Sequence, residues 1–276
     1  MTPWPKSGER LEKRLARVAR EQGLDQERLR RWVSFLALCG VLERATGEGI
    51  LGSYYLKGGV ALELCFATRA RATKDLDLGL EGPRSGRLDL LRRSLDLGFD
   101  EFAFRVKAQT RDMEQVDTVR VDVAVSYRTR AWQTIEVDLG PARISDVDFV
   151  APQVQGLVEL GLPVTSPVRC LGLAEQVAQK LHACTVPDSP GRARDVLDIL
   201  LVDMLEGIDY ARASAAARKV FEERATHAFP PAFKLAAEWR PEVESLAVQL
   251  GFPKASASEI EEQFLGVLQK LVAARI

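Results

Sequence analysis

The sequence predicts an α+β fold, with a mixed sheet core preceded by N-terminal helices and followed by a C-terminal helical bundle. Three observations predict it. Residues 7–47 repeat apolar side chains at helical spacing. Between about Gly52 and Phe149, period-two alternation takes over, interrupted by two helical segments. From Pro167 to Ile276 every segment reads as helix. The implied division puts the N-terminal helices and the α+β core in residues 1–160 and a helical domain in 161–276.

Taken in order, "GERLEKRLARVARE" sets Leu11, Leu15, Val18 and Ala19 on one helix face. "LDQERLRRWVSFLALCGVLERA" does the same with Leu29, Trp32, Val33 and Leu36. The opposite faces carry Arg10, Lys13, Arg14, Arg17, Arg20, Arg28, Arg30 and Arg31. Such a run is either a solvated helix face or a contact for phosphate or an acidic protein. "YYLKGG" reads as a short strand running into glycines, "VALELCFAT" as a helix, and "DLDLGL" as the next strand. A helix is expected near 85–97, followed by three alternating runs, "EFAFRVKAQ", "TVRVDVAVSY" and "QTIEVDLG". The Pro- and Gly-containing stretch "APQVQGLVELGLPVTSP" carries the chain out of the sheet. The helical half comprises "VRCLGLAEQVAQKLHAC", "GRARDVLDILLVDMLEG", "DYARASAAARKVFEERA", "PAFKLAAEWRPEVESLAVQLG" and "ASEIEEQFLGVLQKLVAAR".

Composition narrows the function classes. A chain of 276 residues can bury a sizeable core, and 46% hydrophobic with 28% charged residues is ordinary for a soluble domain. A net charge of −1 gives no global steering toward nucleic acid, so any such partner needs a local basic patch. Cys39, Cys65, Cys170 and Cys184 lie far apart without zinc or redox spacing, and are expected as reduced thiols packed like small hydrophobes. The first residues are polar and charged, and no apolar run is long enough to cross a bilayer. A cytoplasmic protein without a membrane partner is the expectation.

The chemistry concentrates at "RATKDLDLGL". Leu76, Leu78 and Leu80 alternate with Asp75, Asp77 and Gly79, so the leucines enter a core while two carboxylates share the other face. Neighbouring like charges either raise one pKa or recruit a cation. Mg²⁺ suits such a pair, because it takes hard oxygen ligands and combines one or two carboxylates with substrate phosphates. With only His182 and His227 and no cysteine cluster, nothing points to a softer metal. Gly58 and Gly59 end one strand and open a helix, exposing backbone N–H groups at a positive dipole end where phosphate binds readily. A third carboxylate comes either from Asp138, which shares a face with Glu136 in "TIEVDLG", or from Asp122 in "RVDVAV". Gly140, two residues beyond Asp138, would permit a close approach by backbone or ligand and favours Asp138 slightly.

On helix 170–184, Cys170, Leu173, Ala174, Val177, Ala178, Leu181 and Cys184 form an apolar stripe flanked by Lys180. That lysine either snorkels to water or meets a nucleotide phosphate as a mobile point charge. Asp195 and Asp198 sit on a helix apolar on nearly every side, so both are expected to be paired, with Arg192 and Arg194 as candidates. His182 reads as a partly buried surface histidine.

Three motifs in order, "LKGGVALELCFATRARATKDLDLGL", "IEVDLG" and "EQVAQKLHAC…RARDVLDI", resemble the AbiEii/AbiGii-type nucleotidyltransferase toxins, including the mycobacterial MenT group. These belong to the DNA polymerase beta-like nucleotidyltransferase superfamily. The resemblance runs from about Leu56 to Leu200. It implies a triphosphate site at Gly58 and Gly59 with Arg69 and Lys74 adding charge, and metal ligands at Asp75 and Asp77; Lys57 beside the glycines is placed with the triphosphate site, and Asp138, with Asp122 as its competitor, is the expected third metal carboxylate. It also implies functional roles for Lys180 and Asp195, the latter ranked above Asp198 on the family motif alone. Gly58-Gly59 stands where many superfamily members have Gly-Ser, which distances the chain from antibiotic-modifying enzymes more than from the toxins. The expected activity is Mg²⁺-dependent transfer of a nucleoside monophosphate from an NTP to RNA, with the tRNA 3′ end as typical acceptor, and a cognate antitoxin is an expected partner. The N-terminal arginines and "YRTR" (Arg128, Arg130) would hold the RNA backbone. Nucleotidylation of a protein or small molecule, and an inactive nucleotide-binding module, are the alternatives.

Overall fold

Side-chain caps open the first two helices. Ser7 accepts from the Arg10 N–H at the head of α1 (Gly8–Gln22), and Asp25 accepts from the Arg28 N–H at the head of α2 (Gln26–Gly47). In the computed structural model, which describes residues 5–113, 117–142, 146–152, 167–187, 191–205 and 207–274, the helical stripe read from sequence is fully buried. Then follow β1 (Tyr54–Lys57), α3 (Gly58–Phe66), β2 (Asp75–Leu80), α4 (Arg84–Leu95), β3 (Phe102–Met113), β4 (Thr118–Tyr127), β5 (Arg130–Pro141), β6 (Val147–Val150) and β7 (Val168–Leu171). Among the described residues these make one seven-stranded sheet in the order β3-β4-β5-β2-β1-β7-β6. It is mixed: β2 runs parallel to β5 and antiparallel to β1, and β1 runs parallel to β7.

The pleat divides this sheet into two chemical surfaces. Leu56, Leu76, Leu78, Leu80, Val137 and Leu139 join the cluster that includes the apolar faces of α1, α2 and α3. Each such side chain contributes about 1.5–3 kcal/mol when fully buried. The alternate positions carry the charged groups described below. That division follows directly from the period-two pattern.

Two strands depart from the sequence expectation of helix or loop. Val168–Leu171 is β7 rather than the first turn of a helix, because Cys170 pairs with Leu56 on the edge of β1 and Gly172 then caps the helix that follows. Cys170 therefore leaves the predicted stripe. β6 has no counterpart in the sequence reading, and residues 153–166 of the "APQVQGLVELGLPVTSP" exit lie outside the described residues. The chain divides into two units, Met1–Thr68 with Ala72–Cys170 and Arg69–Arg71 with Leu171–Ile276.

The second unit is helical, built from α5 (Leu173–Thr185), α6 (Ala193–Leu205), α7 (Tyr210–Arg224), α8 (Arg240–Gln249) and α9 (Ala257–Ala273). Of "PAFKLAAEWRPEVESLAVQLG", only the part from the 3₁₀ turn Ala237–Trp239 onward is helical. The Leu235 N–H is taken instead by the Glu261 carboxylate of α9, at 2.9 Å.

A charged cluster lies inside this unit. Asp198, wholly buried on α6, accepts two hydrogen bonds from Arg71, both 3.1 Å, and one from Lys180 at 2.8 Å. Lys180 also reaches Asp195 at 2.9 Å. Burial alone would raise the Asp198 pKa, but Lys180 and Arg71 outweigh it and hold the carboxyl below its usual range. Burial likewise works against the Lys180 charge, and Asp198 and Asp195 overcome it and raise the ammonium pKa. Replacing Asp198 by alanine removes the carboxylate that Arg71 and Lys180 share and leaves Lys180 with Asp195. The expected cost is about 3–5 kcal/mol of stability, read as a fall in the urea midpoint.

His182 on α5 is 3% exposed, so it is a core residue rather than a surface one. Arg224 can only donate, so its 3.2 Å approach to Nδ1 leaves the ring proton on Nε2, which lies 2.9 Å from the Thr226 hydroxyl. Burial, then Arg224, then His227 lower the imidazole pKa to about 4. The unfolded chain therefore takes up this proton near pH 6.5, well before the folded one does. Stability should fall by about 3 kcal/mol from pH 7 to pH 4 through this group, with the loss levelling off below. Urea titrations across that range should show the slope in wild type and a shallower one in His182→Gln.

Candidate active site

The turn from β1 into α3 admits only glycine at its first helical position. Gly58 has φ +65°, a backbone that side-chain-bearing residues rarely adopt. A Cβ there would also stand 3.0 Å from Asp77 Cγ and overlap the carboxylate oxygen. Lys57 precedes it as the N-cap with no side-chain hydrogen bond to the helix N-terminus, and Gly59 is buried in the first turn. The Asp77 carboxylate therefore rests against a helix N-terminus, where negative charge is favoured.

Register assembles the remaining groups. Lys57 pairs with Asp77, Asp77 with Asp138, and Asp138 with Arg120, across β1, β2, β5 and β4. This row reads plus, minus, minus, plus. The next row, Asp75, Glu136 and Asp122, is acidic throughout. Both rows stand on the face opposite the leucines. Asp75 and Asp77 are half-buried, and Asp75 Oδ1 accepts a 2.6 Å hydrogen bond from the Thr73 hydroxyl.

The two candidates for a third carboxylate are separated by this topology. Asp138 lies on the strand adjacent to β2, while Asp122 lies one strand further away. Asp138 is 7% exposed, and both its oxygens are held by Arg120, at 2.7 and 2.6 Å. Those hydrogen bonds, working against burial and aided by the charges of Asp138, Glu136 and Asp75, hold Arg120 even more firmly protonated. Arg120 also comes within 3.3 Å of Glu136. The close approach at Gly140 is made by Lys57, whose Nζ lies 3.1 Å from where a Cβ would stand. The glycine accommodates this side chain.

Among the described residues, no group of three or more His, Cys, Asp or Glu is arranged to hold a metal ion. What Asp75 and Asp77 offer is a pair of hard oxygen donors beside a helix N-terminus, with Asp138 committed to a guanidinium. This donor set fits Mg²⁺ in the mode that draws its other ligands from water and substrate phosphate.

Lys180 neither snorkels nor projects as a lone charge, since Asp195 and Asp198 fix it. Arg194 instead pairs with Glu242, and Arg192 meets Asp195 only at 3.4 Å. Arg69 and Lys74 are exposed. Much of the basic surface predicted on α1 and α2 is compensated: Lys13 by Glu9, Arg17 by Glu21, Arg30 by Glu12 and Glu27, and Arg28 by the buried Glu63. Arg128 is likewise tied to Glu101 and to the Pro5 carbonyl. Sequence reasoning missed Arg120, Arg71 and Glu63. Arg120 alternates in phase with Asp122 in "VRVDV", and that phase was the available signal.

All four cysteines are free, with Cys39, Cys170 and Cys184 buried, and burial pushes the Cys39 thiol up to about 12. No helix among the described residues is long and apolar enough to cross a membrane.

Comparison with known proteins places the chain in a family. A family model described as the nucleotidyl transferase AbiEii toxin of type IV toxin–antitoxin systems matches residues 41–268. No curated protein sequence matches the chain. Among solved structures, the MenT4 nucleotidyltransferase toxin of Mycobacterium tuberculosis H37Rv shares the fold at a TM-score of 0.62 and 16% identity, over 95% of this chain and 89% of that one. An antigenic nucleotidyltransferase-like protein from Paracoccidioides brasiliensis is more distant, at 0.41 and 14% identity over 82% and 97%. The chain belongs to the AbiEii nucleotidyltransferase toxin family.

Proposed function

We propose that this toxin transfers a nucleoside monophosphate from an NTP to a hydroxyl of RNA, with the tRNA 3′ end as acceptor, in a Mg²⁺-dependent reaction in the cytoplasm. The observation that carries the reading is the contact of Gly58 with Asp77, which joins the α3 N-terminus to a carboxylate pair. Bound at Asp75 and Asp77, Mg²⁺ would supply Lewis-acid stabilisation of phosphoryl charge. The N–H groups at Gly58 and Gly59 receive phosphate oxygens, and Lys57, Arg69 and Lys74 add positive charge. We assign the Lys180–Asp195 pair to the nucleotide on the family resemblance.

The acceptor oxygen attacks the α-phosphorus and forms the new P–O bond. The bond to the bridging oxygen breaks, and pyrophosphate leaves with its electron pair. The acceptor proton goes to Asp138, which Arg120 orients and must partly release. Positioning and electrostatics carry the rate, as is general in phosphoryl transfer. Family membership supports an antitoxin as the protein partner.

The compensated charge of α1 and α2 favours a second reading, nucleotidylation of a protein or small molecule lacking a long phosphate backbone. The readings separate by salt. Transfer to RNA should weaken steeply as salt rises and drop in an Arg10→Glu, Arg20→Glu variant, whereas a small acceptor should be indifferent to both.

Incubation with each radiolabelled NTP, Mg²⁺ and total tRNA should label RNA with wild type. Asp77→Ala should lose at least about a hundredfold of that rate, and Gly58→Ala should lose a comparable amount because its Cβ occupies the carboxylate's place. Label on protein instead of RNA selects the second reading, and no product from wild type on any acceptor removes both.

A further inference from the structure

Glu63 is a carboxylate in the middle of a hydrophobic helix, 1% exposed. Burying it is costly unless its oxygens are satisfied, and they are. Oε1 accepts from Arg28 Nε at 2.7 Å and from Trp32 Nε1 at 3.1 Å, and Oε2 accepts from the backbone N–H of Thr73 at 2.9 Å. Arg28 also donates to the Ala67 carbonyl at 2.9 Å and lies over the Trp32 ring. Ala67 leaves α3 at φ 52°, ψ −124°, a conformation that an L-residue keeps only when its surroundings over-determine it. Both ends of the segment between α3 and β2 are thus pinned by the α2 side chains Arg28 and Trp32 acting with Glu63.

The pinned residue has a second bond. Thr73 is 3% exposed, and its hydroxyl donates to Asp75 Oδ1 at 2.6 Å. A chain of charge-assisted hydrogen bonds therefore runs from Arg28 and Trp32 through Glu63 to Thr73 and ends on one of the two carboxylates of the site. A purely structural Glu63 would need the Thr73 N–H but gains nothing from the Thr73 hydroxyl. The last link acts on Asp75 alone.

We propose that Glu63 and Thr73 are positioning residues that fix the rotamer of Asp75 for divalent-cation binding, with Thr73 as the final link. This rests on the reading of Asp75 and Asp77 as the cation ligands. Bound in place, the hydroxyl occupies one lone pair of Oδ1 and holds the carboxylate in one orientation. Thr73→Val keeps the side-chain shape and the N–H bond to Glu63 while deleting only the hydroxyl. Thr73→Ser retains it.

The test measures Mn²⁺ binding by electron paramagnetic resonance in the presence of a non-hydrolysable NTP analogue, with thermal stability recorded in parallel. Thr73→Val should weaken Mn²⁺ affinity about tenfold with little change in melting temperature, and Thr73→Ser should restore it. Glu63→Gln should weaken affinity as well, with a clear loss of stability because the buried ion pair with Arg28 is broken. If Asp77→Ala loses the ion while Thr73→Val binds like wild type, the positioning role is overturned and the site stands. If Asp77→Ala binds like wild type, or wild type binds no Mn²⁺, the cation site falls and the positioning role with it.

Discussion

Asp77 and Asp138 are register partners on parallel strands, so their backbones lie only about 4.8 Å apart. Two like charges at about 5 Å repel by about 3 kcal/mol at the effective dielectric of a protein surface. The structure answers with cations on the two flanking strands, Lys57 on β1 and Arg120 on β4. Much else follows from this compensation. It requires β2 between β1 and β5, it requires Gly140 where the Lys57 ammonium passes, and it requires Gly58 where the Asp77 carboxylate meets α3. A side chain at either glycine would displace a charge from its partner.

The same solution recurs in the helical unit under harsher conditions. Asp198 is wholly buried, so water cannot screen it, and Arg71 and Lys180 supply both charge and hydrogen bonds. Glu63 is the third case, with Arg28, Trp32 and Thr73 as donors. Burial tells them apart in pKa. Two cations overcome the desolvation of Asp198 and lower it, whereas burial outweighs Arg28, the Thr73 N–H and Trp32 at Glu63 and leaves its pKa raised. A buried carboxylate with one cation is thus easier to protonate than one with two.

The elements that were legible in the sequence are those whose period is set locally. The alternation of Leu76, Leu78 and Leu80 with Asp75 and Asp77 specified both faces of β2, and the helical stripes of α1 and α2 are buried as read. What was not legible depends on partners distant in the chain. Val168–Leu171 continues a plausible helical stripe and becomes a strand only because β1 offers an edge. The choice between Asp138 and Asp122 needed the strand order, since both obey the same alternation. Lys180 was readable as a seam residue, but its partners lie 15 and 18 residues further along, on another helix. The basic faces of α1 and α2 misled because charge counts cannot see i,i+4 compensation such as Lys13 with Glu9.

The two rows of the site also differ in what they lack. Lys57, Asp77, Asp138 and Arg120 sum to zero, so that row needs nothing added. Asp75, Glu136 and Asp122 sum to three negative charges, and the Arg120 guanidinium comes within 3.3 Å of Glu136. Under the proposed reading, the Asp75 side is the more acidic end of the site, which is where positive charge is most favoured. An ion held by Asp75 and Asp77 takes two carboxylates from the protein, and an octahedral ion needs more oxygen donors than that. Nucleotide phosphates supply those donors, and the α3 N-terminus holds them next to Asp77. Each ligand completes what the other leaves unsatisfied, so ion and nucleotide should bind with positive coupling, and by linkage each should raise the affinity of the other by the same factor.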